Sequence, residues 1–280
     1  MRIDLHTHST ASDGTQSPAQ VVAAAREAGL DVVALTDHDT TAGWAEAAQA
    51  AVELGVALVR GTEVSARAQG TSIHLLSYLQ DPEHPALAEE LGRVRDARVG
   101  RARQMVERIG RDLPVTWDDV LEQVGGDVVV GRPHIADALV ARGLVVDRDE
   151  AFARLLHSDG RYHVPHYAPD GATAVRAIRA AGGVPVFAHP GADARGRIVP
   201  DAVFDELAAA GLAGVEVHHR DHSPRQVERL TAIARRLGLL VTGSSDYHGA
   251  GKVNRLGENL TDPAALAAIE EMGTTEVLRP

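Results

Sequence analysis

Short apolar runs rich in β-branched residues alternate along this chain with longer Ala-rich stretches of helical period. A buried run from Arg2 to Leu5 precedes a helix over about Pro18–Ala28, which Gly29 closes. Val32–Leu35 precedes a helix over Ala42–Leu54, ended by Gly55, and Ala57–Val59 then leads to Glu63. Ser72–Leu79 is a fourth run, and Val184–Phe187, Gly214–Val217 and Leu239–Val241 follow much later. Helices such as Ala172–Ala181 and Asp201–Ala210 precede these late runs, and Pro263–Met272 leads to a last short run near Glu276–Leu278. Pro near helix starts and Gly just past helix ends is the asymmetry that capping requires. Strand–helix alternation of this kind predicts an α/β fold with parallel strands and right-handed crossovers, closed as a (β/α) barrel. Residues 85–168 break the rhythm. Glu89–Gly110 is a long Arg-rich helical stretch, and Pro133–Arg142 and Asp149–His157 read as further helices. The expected organisation is a barrel built from residues 1–84 and 169–280, with residues 85–168 inserted as a helical cap over its mouth.

Composition narrows the chemistry. The 280 residues are 44% hydrophobic and 24% charged, as in an ordinary globular chain. No apolar run approaches the roughly 18 residues needed to cross a membrane. A secretory signal is not expected ahead of a motif that begins at residue 6, and a cytoplasmic location is the simplest expectation. There is no cysteine, which excludes disulfides and thiolate metal sites. A formal charge of -11 argues against an extended duplex nucleic-acid binder, while an anionic small substrate stays open if cations sit in the site itself.

Candidate chemistry gathers at the strand ends, where barrels of this kind place it. His6 and His8 are two apart, so on an extended strand they face the same way. Asp13 follows in the next loop. Asp37-His38-Asp39 closes the second run, Glu63 follows the third, and His74 lies in the fourth. His189 ends VPVFAHP, Glu216 and His218 end the sixth run, and Asp246 and His248 follow LLVTGSS. A single histidine at such a place is more often a cap or a packed core residue. The repetition from strand to strand points instead to a site for several metal ions, with ligands that suit Mn, Fe, Zn or Mg.

The HTH, Asp13, TDHDT, GTEVS, His74, FAHP and SDYH segments together resemble the PHP phosphoesterases, the polymerase-and-histidinol-phosphatase superfamily. The GRPHIADALV segment at 131–140 resembles the small stand-alone branch with a helical cap. Some members of that branch remove the 3′-phosphate of 3′,5′-nucleoside bisphosphates or degrade short RNA from its 5′ end. The resemblance implies a distorted (β/α)7, TIM-like barrel and three divalent ions, expected to be Mn²⁺ with Fe²⁺ or Zn²⁺ as alternatives. His6, His8, Glu63 and Asp246 would hold the first. Glu63 would bridge to a second, completed by His74 and His189. Asp13, His38 and His248 would hold the third. Three carboxylates against three divalent ions leave a local positive surplus inside an acidic protein, which would draw in a phosphate. The expected chemistry is in-line attack on phosphorus by a metal-bridging hydroxide.

Arg132 and His134 open a helix and are expected to contact phosphate from the cap, Arg132 as a clamp. The Arg93–Arg103 run is expected to be mainly a solvated helix face, although Arg98 and Arg101 share one side and could reach a second phosphate. Tyr162, His163 and His166 lie where the cap returns to the barrel and either pack there or stack on a base. In His218-His219-Arg220-Asp221-His222, the family more often has an aromatic at 218 and a proline at 220. His219 and His222 are expected to contact substrate, to support the metal ligands from behind, or to supply a proton to the leaving group. Asp37 and Asp39 are expected to be hydrogen-bond partners of His38 or helix caps. Three readings compete with a nucleotide phosphatase. A histidinol-phosphate phosphatase has no need of a second basic site. An amidohydrolase-type barrel would ordinarily carry a bridging lysine on a strand, whereas Lys252 follows the SDYH loop. A non-catalytic metal or nucleotide sensor would show an incomplete ligand set.

Overall fold

The computed structural model describes residues 1–124, 130–157, 160–193 and 196–280. Residues 125–129 and 158–159, which the sequence places in the inserted segment, lie outside the described residues. Seven strands form one sheet in chain order: β1 (Ile3–Asp4), β2 (Val32–Leu35), β3 (Ala57–Ala68), β4 (Thr71–Tyr78), β5 (Val184–Phe187), β6 (Gly214–His218) and β7 (Leu240–Gly243). The first and last strands approach where Thr7 bridges Tyr247, and the His8 amide donates to the Tyr247 carbonyl at 2.8 Å. The result is a nearly closed seven-stranded α/β barrel.

One strand departs from the all-parallel expectation. β4 runs antiparallel to both β3 and β5, while the other neighbouring pairs are parallel. The cause is local. Ala68 pairs with Thr71 across Gln69 and Gly70, whose φ angles are +47° and +76°. Two left-handed residues in succession make a tight hairpin whose twist matches the strands, and no helix can fit between them. β3 also runs on past Glu63 to Ala68, because Val64, Ala66 and Ala68 continue its buried alternation.

Helices α1 (Pro18–Glu27), α2 (Trp44–Leu54), α3 (Pro85–Ile109), α4 (Trp117–Leu121), α5 (Arg132–Ala141), α6 (Arg148–Ala151), α7 (Gly171–Ala180), α8 (Asp201–Ala210), α9 (Pro224–Leu237) and α10 (Pro263–Met272) account for most of the rest. Their ends follow their sequence. Ser17 caps α1 by accepting from the Gln20 amide, and the Gln20 side chain returns the bond. Gly55, Gly211 and Gly238 end α2, α8 and α9 in left-handed conformation.

The barrel interior is packed with Ile3, Leu5, Val32, Val59, Leu76, Val184 and Val186, and the Tyr78 hydroxyl donates to the Leu5 carbonyl at 2.9 Å. On one outer face, the Phe187 and Phe204 rings pack at 5.1 Å, tilted by 34°, between the sheet and α8, within a cluster that includes Leu75, Ile178 and Leu230. Helices α3 to α6 have an apolar core of their own, in which Met105, Ile109, Val120, Ile135, Leu139 and Leu156 are buried. Among the described residues, no helix is long and apolar enough to cross a membrane.

Phe204 bears on no site residue and is fully buried. Phe204→Ala should therefore cost about 3–5 kcal/mol by lost burial and an unfilled cavity. Urea unfolding should show a lower midpoint with an unchanged slope, and a loss below 1 kcal/mol would contradict the packing described.

Candidate metal centre

The site begins with the residue between two histidines. Thr7 donates its hydroxyl to the Ala34 carbonyl at 2.6 Å, and its amide donates to Thr36 Oγ1 at 3.2 Å. With Thr7 stitched into β2 and bridged to Tyr247, His6 and His8 both turn inward, their Nε2 atoms 3.0 Å apart. His6 Nδ1 donates to Glu216 Oε1 at 3.1 Å, which turns Nε2 toward the centre, the nitrogen free to bind an ion once it has lost its proton. Glu216 is fully buried. Its other oxygen accepts from the His189 amide at 2.6 Å, and Ser244 Oγ donates to Oε1. One carboxylate thus ties the ends of β1, β5, β6 and β7.

Glu63 is the hub. Its Oε2 lies 3.1 Å from His6 Nε2, 3.0 Å from His8 Nε2 and 3.2 Å from His38 Nδ1. Its Oε1 lies 2.8 Å from His74 Nδ1 and 2.9 Å from His189 Nε2. Burial alone would raise this carboxyl, but His38, His74, His6 and His189 hold it well below the ordinary range, so it is an anion. Asp13 is held down in the same way against its own burial, by His248 and His38. Burial opposes a charge on His6, yet Glu63, Glu216 and Asp246 lift it well above its ordinary value. His8 is raised to about 9, because Asp246 and Glu63 outweigh burial. His248 is depressed to about 4 by burial together with Lys252 and His8.

Among the described residues, three sets of donor atoms each lie within 4.8 Å of one another: His6, His8, Glu63 and Asp246; His8, Asp13, His38 and His248; and His38, Glu63 and His74. His38 Nδ1, His74 Nδ1 and His248 Nε2 are buried without a hydrogen bond among the described residues. Unsatisfied imidazole nitrogens around buried carboxylates are what a divalent cation would complete, so the donors present fit such ions. His189 and Asp246 hold left-handed backbones, at φ of +32° and +55°, a strain that clusters at functional sites.

The expected roles of Asp37 and Asp39 need correction, and the other expected residues take the following places. Asp37 and Asp39 neither partner His38 nor cap α2. Asp37 accepts from the Ser9 amide at 2.8 Å and from Ser9 Oγ and Ser12 Oγ, both at 2.6 Å, so it braces the loop that carries Asp13. Asp39 accepts from the Ser65 amide at 2.7 Å and pairs with Arg98 Nε at 2.8 Å. Arg98 and Arg101 are buried rather than solvated. Arg98 Nη2 donates to Ser65 Oγ at 2.6 Å, and Arg101 Nη1 lies 3.2 Å from His166 Nδ1. Arg132 lies over the Phe152 ring and donates to the Leu156 carbonyl at 3.0 Å. His134 Nδ1 accepts from the Gly131 amide at 3.0 Å and so caps its own helix. Both nitrogens of His222 serve backbone: Nδ1 at 2.9 Å from the Val217 carbonyl, and Nε2 accepting from the Gly191 amide at 3.1 Å. No ring nitrogen is left for a substrate there. His219 does reach the centre, with Nε2 3.6 Å from Asp246 Oδ2. Tyr162 is buried and donates to Asp112 at 2.9 Å, which is packing rather than base stacking.

Comparison with known proteins agrees with this geometry. The PHP domain model matches residues 4–91. The chain is 34% identical over 282 residues to a 3′,5′-nucleoside bisphosphate phosphatase of Chromobacterium violaceum, covering 99% of this chain and 98% of that one. The chain belongs to the PHP family of metal-dependent phosphoesterases. A 5′-3′ exoribonuclease of Haemophilus influenzae is 35% identical over 92% of this PHP chain and 94% of its own. A phosphoribosyl 1,2-cyclic phosphate 1,2-diphosphodiesterase of Eggerthella lenta is 33% identical, over 91% and 97%. A crystal structure described as a metal-dependent phosphoesterase of Bifidobacterium adolescentis superposes with a TM-score of 0.95 at 46% identity, covering 97% of this chain and 96% of that one.

A proton sits where an ion would bind. His8, held at about 9 in the metal-free protein, must lose its proton to become a ligand. The apparent Mn²⁺ affinity should therefore rise with pH between about 6.5 and 8.5, by about tenfold per unit or more, because His6, lifted as well, also has a proton to lose. Titration calorimetry in buffers of different ionisation heat checks this, and an affinity that ignores pH would contradict it.

Proposed function

We propose that this PHP enzyme hydrolyses a phosphate monoester of a small nucleotide, with the 3′-phosphate of a 3′,5′-nucleoside bisphosphate as its preferred target and short 5′-phosphorylated RNA as a second substrate. The reading assigns His6, His8, Glu63 and Asp246 to one divalent ion, Glu63, His74 and His189 to a second, and Asp13, His38 and His248 to a third. Mn²⁺ suits this mixture of imidazoles and carboxylates. When bound, such ions supply Lewis acidity toward phosphoryl oxygens and lower the pKa of water to about 7.

The observation that carries the choice of substrate is a group of buried cations beside this centre. Arg101 is buried near Arg98 and Arg132, and burial with those two neighbours brings its guanidinium down to about 8. A cation so poorly compensated is what an anionic substrate group would satisfy. Arg98 anchors the group to the centre, because Ser65, its partner, stands two residues from Glu63 on β3 and so on the same face. A second phosphate held there distinguishes a bisphosphate from a simple monoester. The helices of residues 85–168, which carry these arginines, serve in this reading as the cap over the barrel mouth. His219 has a separate part. Its Nδ1 accepts from the Asp221 amide at 3.0 Å, so the neutral ring carries its proton on Nε2, aimed at the centre, where it can be given to a leaving oxygen.

The Mn²⁺-loaded enzyme should release phosphate from adenosine 3′,5′-bisphosphate in preference to 5′-AMP, 3′-AMP and histidinol phosphate. Arg101→Met should lower kcat/KM on the bisphosphate by about tenfold or more, the worth of one charged hydrogen bond, and leave 3′-AMP within about threefold. Equal losses on both substrates would refute the second-phosphate assignment, and a preference for histidinol phosphate would refute the nucleotide reading.

A further inference from the structure

Among 28 lysine and arginine residues this chain has one lysine, and it stands at the metal centre. Lys252 Nζ lies 3.0 Å from Asp246 Oδ2, with the lysine side chain 34% exposed and the aspartate 2%. The two oxygens of Asp246 face different surroundings. Oδ1 turns inward, 3.6 Å from His6 Nε2, 3.5 Å from His8 Nε2 and 3.5 Å from His248 Nδ1. Oδ2 turns outward to Lys252, with His219 Nε2 beyond it at 3.6 Å.

The segment that delivers Lys252 is pinned on both sides. Ala250 donates its amide to Thr15 Oγ1 at 2.8 Å, and the Asn254 side chain donates to the Ser245 carbonyl at 2.6 Å. Gly249 lies so close to Thr15 that a Cβ there would stand 2.3 Å from Oγ1, and one on Gly251 would stand 2.4 Å from Arg148 Nη1. The backbone is therefore held at the lysine, and the 3.0 Å contact with Asp246 Oδ2 places Nζ.

We infer that Lys252 is a positioning residue that holds the outer oxygen of Asp246 and so leaves the inner oxygen as the single one available to the His6–His8–Glu63 ion. The inference rests on the metal-centre reading above. The choice of residue type follows from shape. An ammonium is a compact point charge that engages one carboxylate oxygen, whereas a guanidinium presents a planar fork that matches both. In a chain that otherwise uses arginine throughout, an arginine at this position would bracket Asp246 and draw Oδ1 away from its ion. A lysine cannot.

This reverses the usual expectation for a conservative change, and the reversal is the test. Wild type, Lys252→Met and Lys252→Arg would be purified metal-free and titrated with Mn²⁺. Bound metal per chain would be counted by mass spectrometry, and folding checked by circular dichroism. Lys252→Met should bind within about threefold of wild type, because losing a repulsive charge offsets the lost orientation. Lys252→Arg should bind at least about tenfold more weakly, the scale at which partners of metal ligands act. An arginine variant as tight as wild type, or a methionine variant weakened as much as the arginine one, would overturn the inference alone. No Mn²⁺ on the wild type would overturn the metal reading and this inference with it.

A chemical route avoids refolding altogether. O-methylisourea converts the amine of folded wild-type protein to a guanidinium, with loss of methanol, and Lys252 is the only side chain it can convert. The modified protein should show the same weakened Mn²⁺ binding, and unchanged binding would overturn the inference.

Discussion

A carboxylate with no access to water organises this molecule. Isolated in a low-dielectric interior, the Glu63 anion would cost several kcal/mol, and it is retained because five imidazoles surround it. Those imidazoles come from the ends of β1, β2 and β5, from the middle of β4 and from the loop between β1 and α1. None can reach Glu63 unless its strand sits at the right height, so one ionic requirement bears on the stagger of half the barrel. Neighbouring contacts serve that demand. Thr7 locks the rotation of the first strand, Asp37 braces the Asp13 loop, and Glu216 sets both the ring of His6 and the backbone of His189.

The same requirement reconciles an acidic surface with an anionic substrate. The net charge of -11 belongs to the whole chain, whereas the cations that the proposed function assigns to the substrate are few, buried and close together. Arg98 has a counterion in Asp39 and is thereby fixed. Arg101 has a histidine beside it instead and is left with unspent attraction. Focusing of this kind depends on burial more than on number, because a surface arginine is screened within about 10 Å at ordinary salt.

Much of this was legible from residue spacing. The two-residue step of His6 and His8, the terminal carboxylates and the alternation of runs and helices are local patterns, and local geometry enforces them. What could not be read depends on contacts distant in sequence. The antiparallel β4 turns on two left-handed residues, Gln69 and Gly70, of which glutamine gives no compositional warning. Asp37 and Asp39 flank His38 in sequence, but they lie past the end of β2, Asp39 in left-handed conformation at φ +54°, and their carboxylates are taken by Ser9, Ser12, Ser65 and Arg98. The Arg98–Arg101 face has the composition of a solvated helix. It is buried because Asp39 and Ser65, far away in the chain, supply the compensating oxygens. Glu216 carries no motif of its own, and its role is visible only once four strand ends meet.

Three buried acids in this site share one functional group and differ in how their oxygens are divided. Glu63 turns both inward, one to each side of the imidazole cluster. Glu216 turns both to protein donors, Oε1 to His6 and Ser244 and Oε2 to the His189 amide. Asp246 is split, one oxygen inward and one to Lys252. Residue type alone does not produce this division, since Glu63 and Glu216 are chemically identical. The partner on the second oxygen does: imidazoles that can still accept an ion leave a carboxylate available as a ligand, whereas amide, hydroxyl and ammonium donors take an oxygen out of use. In the proposed reading, which acids would bind metal is thus decided one bond further out than the acids themselves.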